Sequence, residues 1–207
     1  MGDYKMLLKF IEGPLEDNNY LLFDEETKNA ILIDCTHKNI EIDEAIQKYG
    51  LNLKSIFLTH GHFDHILGVN YYREKYGAKS YIHKDDVDLV KHINDFMKLV
   101  GRYDNYEIPI IDEAFDDSSN FSIDGHEIKV IHTPGHTKGS VCYLIGNKLF
   151  SGDTLFYESY GRTDFPSGSE KEMMESLKSL FKLDENIEVY TGHGPKTTIA
   201  HEKQRYL

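Results

Sequence analysis

The chain has 207 residues, 28% of them charged and 40% hydrophobic, and a formal net charge of −12. This length suits one domain with a sizeable core, and the composition is that of a soluble globular protein. The acid excess argues against a nucleic-acid surface, which needs clustered Lys and Arg, and no apolar run approaches membrane-spanning length.

Residues Met1 to Met6 lack the apolar stretch of a signal peptide, and position 6 is Met where a myristoylation signal carries Ser or Thr. Strand-like runs follow at Met6–Ile11, Tyr20–Phe23 and Ala30–Asp34, with Glu25–Asn29 as a hairpin connection. Ile42–Tyr49 has the spacing of an amphipathic helix that stops at Gly50. Ser55–Leu58 reads as a short buried strand. Ile66, Leu67, Val69, Tyr72 and Tyr76 then recur at helical spacing as far as Gly77. Ser80–Ile82 is a strand, Lys84–Val100 a single helix, and the polar, aromatic stretch Gly101–Asp117 a loop near the site. Strands return at Glu127–Ile131, Val141–Ile145 and Lys148–Phe150. A helix over Glu170–Phe181 and a strand over Glu188–Tyr190 complete the pattern, which fits a layered α/β arrangement without choosing one. Cys35 and Cys142 fall in strand-like runs and read as buried thiols. A reducing cytoplasm is the expected compartment.

The most informative stretch is His60-Gly61-His62-Phe63-Asp64-His65, directly after Ser55–Thr59. It packs three imidazoles and a carboxylate into six residues, and both groups are good ligands for zinc and similar divalent ions. Three further candidates each follow a strand-like run and have glycine beside them: His136, Asp153 and His193. Glycine lets the backbone turn sharply next to a crowded ion. His132 lies four residues before His136, but the Pro134-Gly135 turn between them leaves one of the pair to point inward. His37, His83, His92, His126 and His201 have no ligand neighbours in sequence and read as structural or surface residues. Asp34, at a strand end, is expected either to brace the metal loop or to act as an ordinary turn carboxylate.

His-x-His-x-Asp-His followed by His136, Asp153 and His193 resembles the metallo-β-lactamase-fold superfamily, from about Asn19 to Pro195. Gly152-Asp153-Thr154-Leu155-Phe156 and Gly161-Arg162-Thr163-Asp164-Phe165 resemble its glyoxalase II-related branch, whose members cleave glutathione thioesters. The resemblance implies a four-layer αββα sandwich with a two-metal site at one edge, between the sheets. His60, His62 and His136 would hold one ion, Asp64, His65 and His193 the other, and Asp153 would bridge them. Asp64 and Asp153 are thus the expected catalytic carboxylates. Zinc is the expected ion, with iron and manganese as alternatives that the same ligands serve. The chemistry implied is attack by a metal-held hydroxide on a thioester carbonyl, with a thiolate leaving. The substrate is then a small molecule; bound dications let an acidic chain accept an anionic one.

Arg162 stands where glutathione thioesterases of this branch carry a basic residue that holds the tripeptide. A salt bridge to Asp164 is the competing role. Asp164 itself replaces the branch's usual aromatic hydroxyl. Only fourteen residues follow His193, so the chain resembles the short members with a single domain, residues 1–207, and no C-terminal helical glutathione-binding domain. The alternative activity is that of a mononuclear iron persulfide dioxygenase. That group shares Gly-Arg-Thr-Asp-Phe but typically has Cys where Tyr160 stands. A metal-binding module without catalysis, and a β-lactam or lactone substrate, are the other readings the fold allows.

Overall fold

Successive residues of a strand face opposite sides of a sheet, so a strand that is apolar throughout must be covered twice. The computed structural model, which describes residues 6–123 and 125–206, is built around such strands. In chain order, β1 (Met6–Glu12), β2 (Asp17–Phe23) and β3 (Asn29–Ile33) precede α1 (Ile40–Tyr49) and β4 (Asn52–Phe57). Next come α2 (Phe63–Ile66), α3 (Val69–Tyr76), β5 (Lys79–His83), α4 (Val87–Lys91), α5 (Ile93–Leu99) and β6 (Glu113–Phe115). The second half holds β7 (Asn120–Ile123), β8 (His126–His132), β9 (Val141–Ile145), β10 (Lys148–Gly152), β11 (Leu155–Phe156) and β12 (Ser159–Tyr160). It ends with α6 (Glu170–Leu180), β13 (Glu188–Thr191), β14 (Thr197–Thr198) and α7 (Ile199–Tyr206).

One sheet has the order β1-β2-β3-β4-β5-β6 and the other β14-β13-β10-β9-β8-β7. Alternate residues sort into separate cores. Tyr20, Leu22, Ile31, Ile33 and Phe57 of the first sheet meet Ile128, Val130, Val141, Tyr143 and Phe150 of the second. The intervening residues Leu21, Phe23, Leu32 and Ile56 pack outward against Ile42, Val69, Val90 and Met97 of the helices. On the far side, Cys142, Leu149 and Val189 meet Met173, Leu177 and Leu180 of α6 and Ile199 of α7. The result is the expected αββα sandwich. Each fully buried Leu, Ile, Val or Phe contributes about 1.5–3 kcal/mol.

Strand direction sets where the functional loops emerge. β3 and β4 run parallel, as do β10 and β13, while β8 shares the direction of β10 because each is antiparallel to β9. The C-terminal ends of β3, β4, β8, β10 and β13 therefore deliver Asp34, His60, His136, Asp153 and His193 toward one edge.

Three expectations are corrected. The single helix over Lys84–Val100 is a 3-10 turn, Lys84–Asp86, followed by α4 and α5, because His92 leaves helical geometry at φ −103, ψ 21. The break lets Val90, Ile93 and Met97 all reach the core. The loop 101–117 contains β6, which extends the first sheet beside β5. The helical run after His65 is divided at Gly68, where a Cβ would meet the His37 carbonyl oxygen at 2.7 Å. Strands β7, β11, β12 and β14 and helix α7 had no clear signal in the sequence. Among the described residues, no helix is long and apolar enough to cross a membrane. Residues 1–5, on which the reading of the N-terminus rests, lie outside the described ones.

Asp112 clamps β5 to the segment entering β6. Its carboxylate accepts from Arg73 Nε at 2.7 Å, and from the Ser80 amide and hydroxyl at 2.9 and 3.0 Å. The Arg73 guanidinium, then these Ser80 donors, hold its carboxyl well below the usual carboxylate range. A depressed carboxyl stabilises the fold above its unfolded value, about pH 4, and loses that contribution as pH falls through the folded value. Asp112→Asn is expected to cost about 1 kcal/mol at pH 7, because the pair is partly exposed to solvent. Its melting temperature should drop by about 2–4 °C, and the gap to wild type should close in acid; a gap constant down to pH 2 would refute the assignment.

Candidate metal centre

Each donor loop is pinned so that one ring nitrogen is occupied and the other faces inward. Asp34 accepts from the Thr59 amide at 2.8 Å, the Thr59 hydroxyl at 2.7 Å and His65 Nδ1 at 2.9 Å. His60 Nδ1 donates to the Thr59 hydroxyl at 3.1 Å. His136 Nδ1 donates to the Arg162 carbonyl at 2.7 Å, and His193 Nδ1 to the Leu15 carbonyl at 3.0 Å. These bonds occupy Nδ1 and turn Nε2 of all four toward the centre. His62 is the exception: its Nδ1 turns inward, 2.8 Å from His136 Nε2, and its ring stacks on Phe96 at 4.8 Å.

The donors form two neighbouring groups. His60, His62 and His136 each offer an atom within 4.8 Å of the others, and so do Asp64, His65, His193 and Asp17. Asp153 lies between them. Its Oδ1 is 3.4 Å from His65 Nε2, and its Oδ2 is 3.4 Å from both His136 Nε2 and His193 Nε2. Glycine makes room for it: a Cβ at Gly161 would strike the Asp153 carbonyl, and one at Gly192 its carboxylate. The structure thus brings together all seven donors expected from the sequence, and Asp34 braces them.

The donor set fits a pair of divalent ions. His60 Nε2 and Asp153 Oδ1 are buried with no hydrogen-bond partner, a state that costs about 1–3 kcal/mol per atom unless something satisfies it. Burial pushes His60 and His62 well below the usual imidazole range, so both are neutral, as ligation requires. Burial would lower His65 and His193 too, but Asp153, helped by Asp34 at His65, outweighs it. His65 moves well up and His193 up to about 9. Asp153 is itself buried, yet the facing imidazoles, His65 foremost, hold its carboxyl well below the usual range.

Two carboxylates at the site carry no mark in the sequence. Asp86 is buried and accepts from the Gly61 amide at 2.8 Å, the Gly139 amide at 2.8 Å and the Thr137 hydroxyl at 2.7 Å, tying the His60–His62 loop to the His136 loop. It sits in the polar run Lys84-Asp85-Asp86, which looks like an ordinary helix start. Asp17 is buried beside His193, Oδ1 to Nδ1 at 3.5 Å, and burial pushes its carboxyl up to about 7. Nothing in the sequence around Asp17 marks it.

His83 has two neighbours that its place in the sequence does not show. It is buried, donates from Nε2 to Asp117 at 2.7 Å and stacks on His132 at 4.4 Å and 20°. The Asp85 amide points at His83 Nδ1, which leaves the ring proton on Nε2. Near-parallel rings aim their in-plane lone pairs along separate lines, so this trio is a hydrogen-bonded stack. His132 Nε2 donates to the Lys138 carbonyl at 2.8 Å, away from the seven donors. Cys35 and Cys142 are free, buried thiols.

A cleft of about 450 Å³ opens onto His62, Asp64, His136, Asp153 and His193. Its walls include Phe63, Phe96, Phe156, Phe165, Arg102 and Arg162. Arg162 makes the salt bridge, bonding Asp164 twice at 2.7 Å, and its guanidinium also lies 3.8 Å over Phe165 on the cleft wall.

The family model described as the metallo-beta-lactamase superfamily matches residues 13–193. The chain belongs to that superfamily. It is 31% identical to hydroxyacylglutathione hydrolase GloC of Haemophilus influenzae, over 91% of each chain. Its fold is similar to the crystal structure of BLEG-1 B3 metallo-beta-lactamase, with a TM-score of 0.88 and 32% identity over 96% of this chain and 97% of that one. It is also similar to TTHA1623, solved in a di-iron-bound form, with a TM-score of 0.82 and 32% identity over 94% and 96%.

Asp86→Ala should leave three buried donors without an acceptor. The expected loss is about 2–4 kcal/mol of stability and about 10–100-fold in metal affinity. Denaturant melts and competitive metal titration check both, and an unchanged affinity would show that the two loops hold their places without Asp86.

Proposed function

We propose that this chain is a binuclear metal-dependent hydrolase that cleaves thioesters of the hydroxyacylglutathione type. The observation that carries the reading is Asp153, set between two groups of donors at the foot of an open cleft. The second group, Asp64, His65 and His193, favours two ions over the single iron of a persulfide dioxygenase. His60, His62 and His136 would hold one ion, Asp64, His65 and His193 the other, and Asp153 both. Zinc is the ion we assign; the di-iron form of TTHA1623 keeps iron as the alternative.

When bound, such a pair supplies Lewis acidity and an activated water near neutral pH. The protein's part is positioning. Asp34, Thr59 and the Arg162 carbonyl fix the ring tautomers, and the phenylalanine walls keep bulk water from the substrate. A thiolate is a modest base, so its departure needs no strong protein acid. Neither thiol serves as nucleophile, since both are enclosed in the core, where burial pushes Cys142 up to about 11. Arg162 suits recognition of a substrate carboxylate, and the similarity to GloC supports a glutathione thioester as its source. Free cysteines agree with action in a reducing cytoplasm.

Elemental analysis of protein purified without added metal should give two ions per chain, and S-lactoylglutathione should be hydrolysed. One iron per chain with oxygen uptake on glutathione persulfide would replace this reading with the oxidoreductase one. Asp153→Ala should lower both metal occupancy and rate, the latter by several orders of magnitude. Near wild-type turnover would sink its bridging role. Arg162→Ala should raise KM more than it lowers kcat, whereas a large loss of stability with unchanged KM would leave it only its bond to Asp164.

A further inference from the structure

Two cationic side chains reach the cleft, and they differ. Arg162 carries its own counter-ion, Asp164. Arg102, three residues past the end of α5, forms no ion pair with a carboxylate among the described residues, although the chain carries a net charge of −12. Its guanidinium lies 4.9 Å over the Phe63 ring. From there ring contacts run without a break: Phe63 to Phe96 at 6.4 Å, Phe96 to Phe165 at 5.2 Å, and Phe165 to the Arg162 guanidinium at 3.8 Å. The cleft floor is therefore an aromatic strip with a guanidinium at each end. The metal donors meet it at its middle, where His62 stacks on Phe96 at 4.8 Å and meets the edge of Phe165 at 5.8 Å.

This geometry dictates the shape of a ligand. A carbonyl placed at the donors near His62 splits the molecule in two. One half runs toward Phe165 and Arg162, the other along Phe96 and Phe63 to Arg102. The second half crosses apolar rings before it meets a guanidinium that has no counter-ion of its own. Apolar surface is best covered by methylenes, and an unpaired guanidinium is best met by a carboxylate in a charge-assisted, two-pronged pair.

We propose that Arg102 is a specificity residue that reads a carboxylate at the far end of the acyl group, so the preferred substrates are thioesters of ω-carboxyacyl chains several carbons long. The inference rests on the thioesterase reading for which half is the acyl one. Arg102 positions the acyl half and touches no reacting atom. The strip holds the chain extended, and the two guanidinium anchors fix the carbonyl between them.

Two probe pairs test this on the metal-loaded, full-length protein. Adipoylglutathione and hexanoylglutathione differ by one terminal carboxylate, as do the uncleavable thioethers S-(5-carboxypentyl)glutathione and S-hexylglutathione. Wild type should favour the adipoyl thioester at least tenfold in kcat/KM, and by calorimetry bind the carboxypentyl thioether at least tenfold more tightly. Arg102→Gln should bring both ratios to within about twofold, and Arg102→Lys should keep part of each, since it retains the charge without the fork. Equal affinity of the two thioethers for wild type, no binding of either, or a preference that survives in Arg102→Gln would overturn the assignment. A wild type that discriminates between the thioethers but cleaves neither thioester would uphold Arg102 as the carboxylate reader and remove the hydrolase reading instead.

Discussion

Asp153 is the constraint around which the molecule is arranged. A carboxylate enclosed among imidazoles is tolerable only where positive charge meets it. Five ring nitrogens and a second carboxylate crowd the same space, so protons alone satisfy only part of the set. His60 Nε2 and Asp153 Oδ1 are left without a hydrogen bond. A pair of cations would resolve both shortages together, because it would supply charge to the carboxylates and electron-pair acceptors to the neutral rings.

Such a cluster repels itself unless a scaffold holds it. Two packed sheets provide one, since strands of common direction end at one edge and a loop anchored at a strand end has little freedom. The bracing carboxylates complete the arrangement. Asp34 joins the end of β3 to the loop after β4, and Asp86 joins that loop to the one after β8. Each takes three hydrogen bonds from buried donors, so each stabilises the cleft edge while setting the ligand geometry. The same side chains serve stability and the site, and both are buried.

The cleft has a different character. Phenylalanines form its floor, and among the described residues that line it the charged groups beyond the metal donors are the guanidiniums of Arg102 and Arg162. An apolar floor excludes water and strengthens each polar contact made there. It also leaves the metal centre to set the chemistry and the ends to set which molecules are held. One fold can thus carry related hydrolyses by changing few wall residues, in keeping with the general separation of fold from substrate.

The donor set was legible in the chain's own residues, whereas the αββα layering came from the superfamily resemblance, since the periodicity fits several layered α/β arrangements. His60 to His65, His136, Asp153 and His193 stand out because each ends an apolar run, and the two-sided apolar strands of residues 20–33 and 141–150 demand cover on both faces. It could not reveal the break at His92, since periodicity continues through it and only the pull of the core on Ile93 and Met97 decides the bend. The short strand β6 was equally hidden, because Glu113–Phe115 is paired by its neighbour β5 and not by any pattern of its own. Asp17, Asp86 and Arg102 look like ordinary surface residues in one dimension. Tertiary structure alone gave them their roles, because burial, partners distant in sequence, and the absence of a counter-ion are properties of the space around a side chain and not of the residues beside it in the chain.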